Sequence, residues 1–405
     1  MMIIPVACSL APVALGVAVL AYYKPFRSDP VPPRMASLHV EAWGTVDGRA
    51  ARLWTLDNGN GMSMKVTDWG TIVTSLVVPD RDGRPVDVVL GRPSLDAYVE
   101  RTQYFGCTAG RCANRIAKGT FTIDGTEFRV PCNDGPNALH GGMRGFDRRL
   151  WQGEGSAVDG EASVTFTYLS PDGEEGFPGN CSARVRYTLT RRNELVVEME
   201  ATADRPTCVN LAHHGYWNLG GHGSGTVLDH ELQLDADRYT PVDATMITTG
   251  EIVPVEGTPL DFRAAKPIGR DIGRLPASGD DPGGYDHNLV VNGAPGSMRR
   301  CAVLRSPRTG ITMTLSSDQP GIQFYSGNFL DGIPGKDGAV YRKNDGLCLE
   351  TQAFPDSVNK QGRPGWPSVV LRPGQSYRHR MVHEFRVSPP AAAPQGDPPA
   401  PTRPG

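Results

Sequence analysis

The side chains able to move protons are gathered in a few short clusters. Asn210-Leu211-Ala212-His213-His214-Gly215-Tyr216-Trp217-Asn218-Leu219 carries two imidazoles among aromatic residues, and Leu347-Cys348-Leu349-Glu350-Thr351-Gln352 sets one carboxylate in an apolar run. Imidazoles and carboxylates are the usual general acids and bases near neutral pH. Burial of Glu350 among its apolar neighbours would raise its pKa, which suits a base that must later return its proton. Four further clusters mix amides, guanidinium, imidazole or carboxylate with glycines and aromatics: Gly110 to Ala117, Asn137 to Gly142, Gly284 to Asn288 and Gly321 to Phe329. That mixture suits a sugar, whose hydroxyls need paired donors and acceptors while its C–H face packs on aromatic surface. Each residue also has a plainer reading. A single His beside Tyr and Trp is commonly a hydrogen-bonded core residue, and amides such as Asn114 and Gln323 also cap turns.

Taken together and in order, these clusters resemble the galactose mutarotase family of aldose 1-epimerases, from about Trp43 to Val387. The resemblance implies a β-supersandwich that interconverts the α and β anomers of a free hexose without cofactor or metal. By motif, His214 falls on the family's catalytic acid and Glu350 on its catalytic base. Sugar-binding positions fall on Asn114 and Arg115 of GRCANRIA, His140 of LHGG, Asp286 of YDHN and Gln323 of GIQFYSGN. Three residues depart from the family pattern: His213 stands where Asn is usual, Gly215 replaces Ser or Thr, and Trp217 replaces Phe. His213 is either an orienter of His214 or a packed side chain.

The chemistry this implies is simple. A pyranose opens when the C1 hydroxyl loses a proton and the ring oxygen gains one; rotation about C1–C2 and reclosure give the other anomer. Arg115, His140 and Asp286 would fix the sugar so that both closures find the same two catalysts. Glu350 ionised and His214 charged would define a bell-shaped pH profile, with nearby carboxylates raising the imidazole pKa to widen the window. Two other readings compete. A hexose-phosphate 1-epimerase needs a cluster of cations around the phosphate, for which only Arg115 is placed. A non-catalytic carbohydrate-binding module has no need of both His214 and Glu350.

The elements that must position these residues are strands. Period-two alternation runs from Arg184 to Glu200: Val185, Tyr187 and Leu189, then Leu195, Val197 and Met199, alternate with mostly polar neighbours around a turn at Arg191 to Asn193. Similar strands are expected at Met62 to Val66, Val164 to Tyr168, Ile311 to Leu315 and Tyr377 to Val387, separated by turns such as Asp80 to Gly83 and Asp124-Gly125. Ser94 to Val99 is the best short helix. The fold class is therefore all-β, a large antiparallel sandwich filling one domain over residues 35–388. No GxGxxG after a strand, Walker loop or HExxH is present, so nucleotide and zinc-hydrolase functions lack their signatures.

Composition narrows the partners. The 405 residues are 39% hydrophobic with a net charge of −3, so a sizeable core is available and no basic face exists for nucleic acid. The expected partner is a small neutral aldohexose. Eight cysteines form no CxxC pair and no zinc spacing, and read as small buried hydrophobes; Cys107 and Cys112 could be bridged if strand geometry allowed. Met1 to Tyr23 is nearly all apolar, with Lys24 and Arg27 following. It reads as a signal peptide for export or an uncleaved membrane anchor; a misassigned start codon would leave the protein cytoplasmic. Residues 1–34 are thus a targeting segment and linker, and residues 389–405 a disordered Pro-rich tail.

Overall fold

Strict alternation of apolar and polar residues forces a strand to bury one face, and the longest strands follow that pattern. In the computed structural model, which describes residues 35–100, 103–277 and 282–387, Cys181–Leu189 and Glu194–Ala203 form the expected hairpin. Leu189 pairs with Leu195 beside the turn, where Asn193 takes a left-handed φ of 60°. Val185, Tyr187, Leu189, Leu195, Val197 and Met199 are all fully buried. The other expected strands are found as Ser63–Thr67, Glu161–Ser170, Ile311–Ser317 and Tyr377–Val387. Asp124-Gly125, with φ of 50° and 80°, turns Thr120–Ile123 into Thr126–Arg129. The N-terminal apolar segment and the Pro-rich tail lie outside the described residues.

Three sheets carry the architecture. A nine-stranded sheet runs in the order Gln152–Val158, Glu161–Ser170, Cys181–Leu189, Glu194–Ala203, Tyr377–Val387, Ile311–Ser317, Arg299–Arg305, Glu231–Leu234 and Lys266–Pro267. A six-stranded sheet runs Tyr216–Trp217, Leu347–Gln352, Gly321–Tyr325, Asp286–Val290, Arg238–Thr240 and Val253–Pro254. The first five strands, Ser37–Val46 to Pro85–Asp87, form the third sheet. One continuous core draws on all three, with Phe166 against Trp54 at 6.1 Å and Phe385 against Trp217 at 6.1 Å. The layer opposite the nine strands is thus divided between two sheets, which among the described residues are joined by the bridge Val89↔Trp217. Among the described residues the one α-helix is Leu95–Glu100, and the Ser94 hydroxyl caps it by accepting from the Ala97 N–H at 3.3 Å. No helix of the described residues is long and apolar enough to cross a membrane.

Histidines lie deep in this core. His379 and His383, on the Tyr377–Val387 strand, are both brought down to about 4 by burial, and His213 is pushed well below the ordinary imidazole value by burial and its histidine neighbours. Between about pH 6.5 and 4 the unfolded chain therefore binds more protons than the folded one. Stability from these groups is fully present above pH 6.5 and is lost as the pH falls toward 4, at about 1.4 kcal/mol per pH unit for each histidine. The urea midpoint is expected to drop steeply across that window, and His383→Asn should make the drop shallower. A midpoint that stays level from pH 7 to 4.5 would sink this assignment.

Candidate active site

Pairing register decides which side chains meet. Asn288, Gln323 and Glu350 are opposite one another on three adjacent strands, and Asp286, Tyr325 and Cys348 form the next such row. With period two, these residues share one face of the six-stranded sheet, while Leu289, Ile322, Phe324 and Leu349 face the core. Tyr216 joins the first face through its pairing with Cys348, and Trp217 falls on the second. The same alternation separates the two neighbouring histidines of the Ala212–His214 strand. His214 turns toward Glu350, whereas His213 turns into the core between Tyr187, Trp217 and His383, with neither ring nitrogen hydrogen-bonded. His213 is a packed side chain.

A second set of residues comes from the Arg115–Ile116 and Ala138–Leu139 strands, which pair Leu139 with Arg115. Asn114 and His140 both hold left-handed backbone, with φ of 60° and 50°, and lock each other. The His140 N–H donates to the Asn114 carbonyl at 3.1 Å, and the Asn114 N–H donates to His140 Nδ1 at 3.2 Å. A Cβ at Gly141 would stand 2.0 Å from the Gly110 carbonyl oxygen, so only glycine allows this loop to close. His140 is kept neutral by burial, then by the neighbouring His214 and Arg115. With Nδ1 accepting, its proton sits on Nε2 and points a donor into the site.

Between the two sets lies a cavity of about 220 Å³ lined by Asn114, Arg115, His140, His214, Asp286 and Glu350, with Gln103, Tyr104, Asp134, Leu139, Tyr216, Tyr325, Phe329 and Leu330. Six of the seven site residues expected from sequence therefore line one space. Gln323 does not line it; its amide donates to Asp286 Oδ1 at 2.6 Å and acts through that carboxylate. Asp134 was not expected. It accepts from Arg115 Nε at 2.7 Å, and Arg115 Nη1 lies 3.7 Å from Asp286 Oδ2, so the guanidinium is strapped between two carboxylates. The Asn133-Asp134-Gly135-Pro136-Asn137 segment was legible as a turn, without any sign of what the turn would hold. Tyr104 had no motif to mark it.

The catalytic candidates face each other. His214 Nε2 is 3.7 Å from Glu350 Oε1, and its ring lies between Tyr104 at 5.7 Å and Tyr216 at 5.2 Å. Cys348 Sγ approaches Nδ1 to 3.6 Å from behind. Burial brings the imidazole down to about 4, contrary to the raised value expected from neighbouring carboxylates, because its surroundings desolvate the cation while the Glu350 carboxyl beside it is itself held toward its neutral form. Glu350 is pushed well above the carboxylate range by burial and then by Asp286, against the pull of Arg115. Both shifts disfavour charge. The pair thus holds one proton over a wide range, with the neutral partition, carboxyl and imidazole, favoured in the empty site. His140, His214 and Glu350 also offer ligand atoms within 4.8 Å of one another, the make-up of some zinc sites. His140 presents an N–H there and no lone pair, so the trio reads as proton-handling groups and not as a ligand set.

The chain is similar to known proteins along most of its length. A family profile described as aldose 1-epimerase matches residues 52–384. The galactose mutarotase of Homo sapiens is 44% identical over 328 residues, 81% of this chain and 92% of that protein. The aldose 1-epimerase of Escherichia coli (strain K12) is 37% identical over 344 residues, 84% of this chain and 96% of that protein. Among solved structures, an aldose epimerase homologue from C. elegans superposes with a TM-score of 0.72 at 33% identity, covering 81% of this chain and 96% of that one. A galactose 1-epimerase from Lactobacillus acidophilus superposes with a TM-score of 0.74 at 28% identity, covering 87% and 99%.

The three residues that depart from the motif pattern pack against one another. A Cβ at Gly215 would lie 3.0 Å from Trp217 Cζ2 and 3.1 Å from His213 Nε2, the two enlarged neighbours. Gly215→Ser is expected to destabilise the fold by about 1–3 kcal/mol through overpacking. In Trp217→Phe background the same change should cost much less, and a double-mutant cycle on urea unfolding measures the difference. Additive effects would show that the positions are independent.

Proposed function

The chain belongs to the aldose 1-epimerase family, and on that premise we propose that it opens and recloses the ring of a free aldohexose such as glucose or galactose, with Glu350 and His214 exchanging the protons. The observation that carries this reading is the 3.7 Å approach of His214 Nε2 to Glu350 Oε1 inside one cavity. The two oxygens that trade protons in ring opening are both bonded to C1, so their partners must also be neighbours. Glu350 takes the proton of the C1 hydroxyl while His214 delivers one to the ring oxygen. The open aldehyde turns about C1–C2, and the two groups reverse roles at closure. Arg115, Asp286, Asn114 and the His140 N–H hold the remaining hydroxyls in the one orientation that serves both closures.

The charge in the cavity supports a free sugar over a phosphorylated one. Among the described lining residues Arg115 is the single guanidinium or ammonium group, and Asp134 and Asp286 already engage it. A phosphate would meet more negative than positive charge. The substrate class follows from that balance, and the aromatic lining of Tyr104, Tyr216, Tyr325 and Phe329 offers surfaces for the C–H faces of the ring.

Polarimetry on fresh α-glucose and α-galactose tests the assignments. Glu350→Gln and His214→Asn should each lower kcat by ~10²-fold or more with unchanged circular dichroism. Near wild-type rates in either variant would remove that residue from the chemistry. Arg115→Ala and Asp286→Ala should raise KM, and unchanged kcat and KM in both would leave them structural.

The pH profile of kcat/KM gives a separate check. Below about pH 4 both members of the pair are protonated and no base remains, so activity falls there; at high pH the pair loses its single proton and the acid is gone. The acid limb is thus expected near 4, with the basic limb displaced well above the ordinary carboxylate value, and both report the pair and not one residue. A profile flat from pH 4 to 10 contradicts the pairing.

A further inference from the structure

Two thiols that the reaction does not use lie against each other behind the site. Cys112 Sγ and Cys208 Sγ are 3.1 Å apart, closer than ordinary non-bonded sulfurs and about 1 Å longer than a disulfide bond. The backbones on which they ride are already tied together. The Asn210 N–H donates to the Arg111 carbonyl at 3.0 Å, the Ala113 N–H donates to the Asn210 carbonyl at 2.6 Å, and Cys112 and Asn210 form a parallel bridge. One position before the thiols, Arg111 Nη1 donates to Thr207 Oγ1 at 3.3 Å. Both cysteines belong to the cluster of Ile116, Phe121, Ala138 and Phe177, so neither sulfur has water to compete for it. The bridge once conceivable between Cys107 and Cys112 is not made; both thiols are free, and the sulfur that Cys112 faces is that of Cys208.

We propose that Cys112 and Cys208 form a site of disulfide cross-linking that fastens the segment bearing Asn114 and Arg115 to the segment bearing His214. The oxidant is an external disulfide such as oxidised glutathione. One cysteine thiolate attacks it, expels a glutathione thiolate and leaves a mixed disulfide; the other cysteine then attacks the protein sulfur of that mixed disulfide and expels the second glutathione. Two cysteine S–H bonds are lost and one protein S–S bond forms; the glutathione S–S bond breaks, two electrons pass to it, and the two protons end on the released glutathione thiolates, giving two thiols. Complete burial of Cys208, which raises its thiol pKa, confines the exchange to the folding chain, before the cluster closes. The bond would close a loop of 96 residues, and long loops are those in which a cross-link most restricts the unfolded chain.

The full chain, unfolded in denaturant, is refolded either with a mixture of oxidised and reduced glutathione or with dithiothreitol alone. Peptide mapping without reduction should recover the Cys112 peptide joined to the Cys208 peptide after the first treatment only. The oxidised protein should unfold roughly 5 °C or more above the reduced one while keeping its mutarotation rate. Cys112→Ala and Cys208→Ala, each refolded both ways, should lose the difference in midpoint. Recovery of both cysteines as alkylatable thiols after oxidative refolding overturns the proposal, as does linkage of either one chiefly to another cysteine. A linked protein no more heat-resistant than the reduced form also overturns it, whatever the single variants do.

Discussion

The strand register of the six-stranded sheet is the constraint on which the site rests. Gly321–Tyr325 and Leu347–Gln352 are buried on both faces and Asp286–Val290 is partly buried, so nothing but their alternation tells a carboxylate from a leucine. Slipping Leu347–Gln352 by one residue would turn Glu350 into the apolar cluster that holds Leu349 and present Leu349 to the cavity. The core face holds the register, since Leu289, Ile322, Phe324 and Leu349 join the same apolar cluster as the nine-stranded sheet. Packing energy of the scaffold is thereby converted into the position of one carboxylate. His214 depends on the same rule, because its neighbour His213 occupies the opposite face of a strand only three residues long.

Around that carboxylate the cavity keeps its charge low. Arg115 would pull Glu350 toward its ionised form, yet Asp134 and Asp286 engage the guanidinium, Asp286 outweighs it at Glu350, and Gln323 donates to Asp286. A free guanidinium would hold Glu350 ionised and would attract anions; a strapped one leaves the carboxyl able to keep or release its proton. Tyr104 and Tyr216 do the corresponding work on His214 by excluding water from its faces. Two groups that each resist charge, placed within reach of a single proton, form a pair whose two neutral members and two charged members differ little once a hydroxyl lies between them.

Much of this was legible in the sequence. Alternation between Arg184 and Glu200 specified the hairpin and its buried face, and Tyr377 to Val387 was read to its observed ends, because period-two patterns record burial directly. The motif clusters named six residues that line the cavity, since each carries its polar side chain inside a short, turn-rich segment. What could not be read was contact over long separations. Asp134 looks like any turn aspartate until Arg115 is beside it, and Gln323 looks like a sugar contact until Asp286 intervenes. The imidazole of His214 was expected to gain basicity from carboxylates, whereas the rings that surround it decide the opposite; desolvation is a property of packing and leaves no mark at the residue itself. The division of one sandwich layer into two sheets joined at Val89 and Trp217 was likewise invisible, because strand order is not written in any strand.

Gly215 also sets an order of exchange among its neighbours. A side chain at that position would crowd Trp217 and His213, whose nearest atoms stand 3.0 and 3.1 Å from where its Cβ would lie. A redesign of this turn must therefore shrink one of those neighbours before it fills position 215, since the reverse order passes through an overpacked protein. Gly215 and Trp217 are in this way bound to one another beside His214, although neither handles a proton.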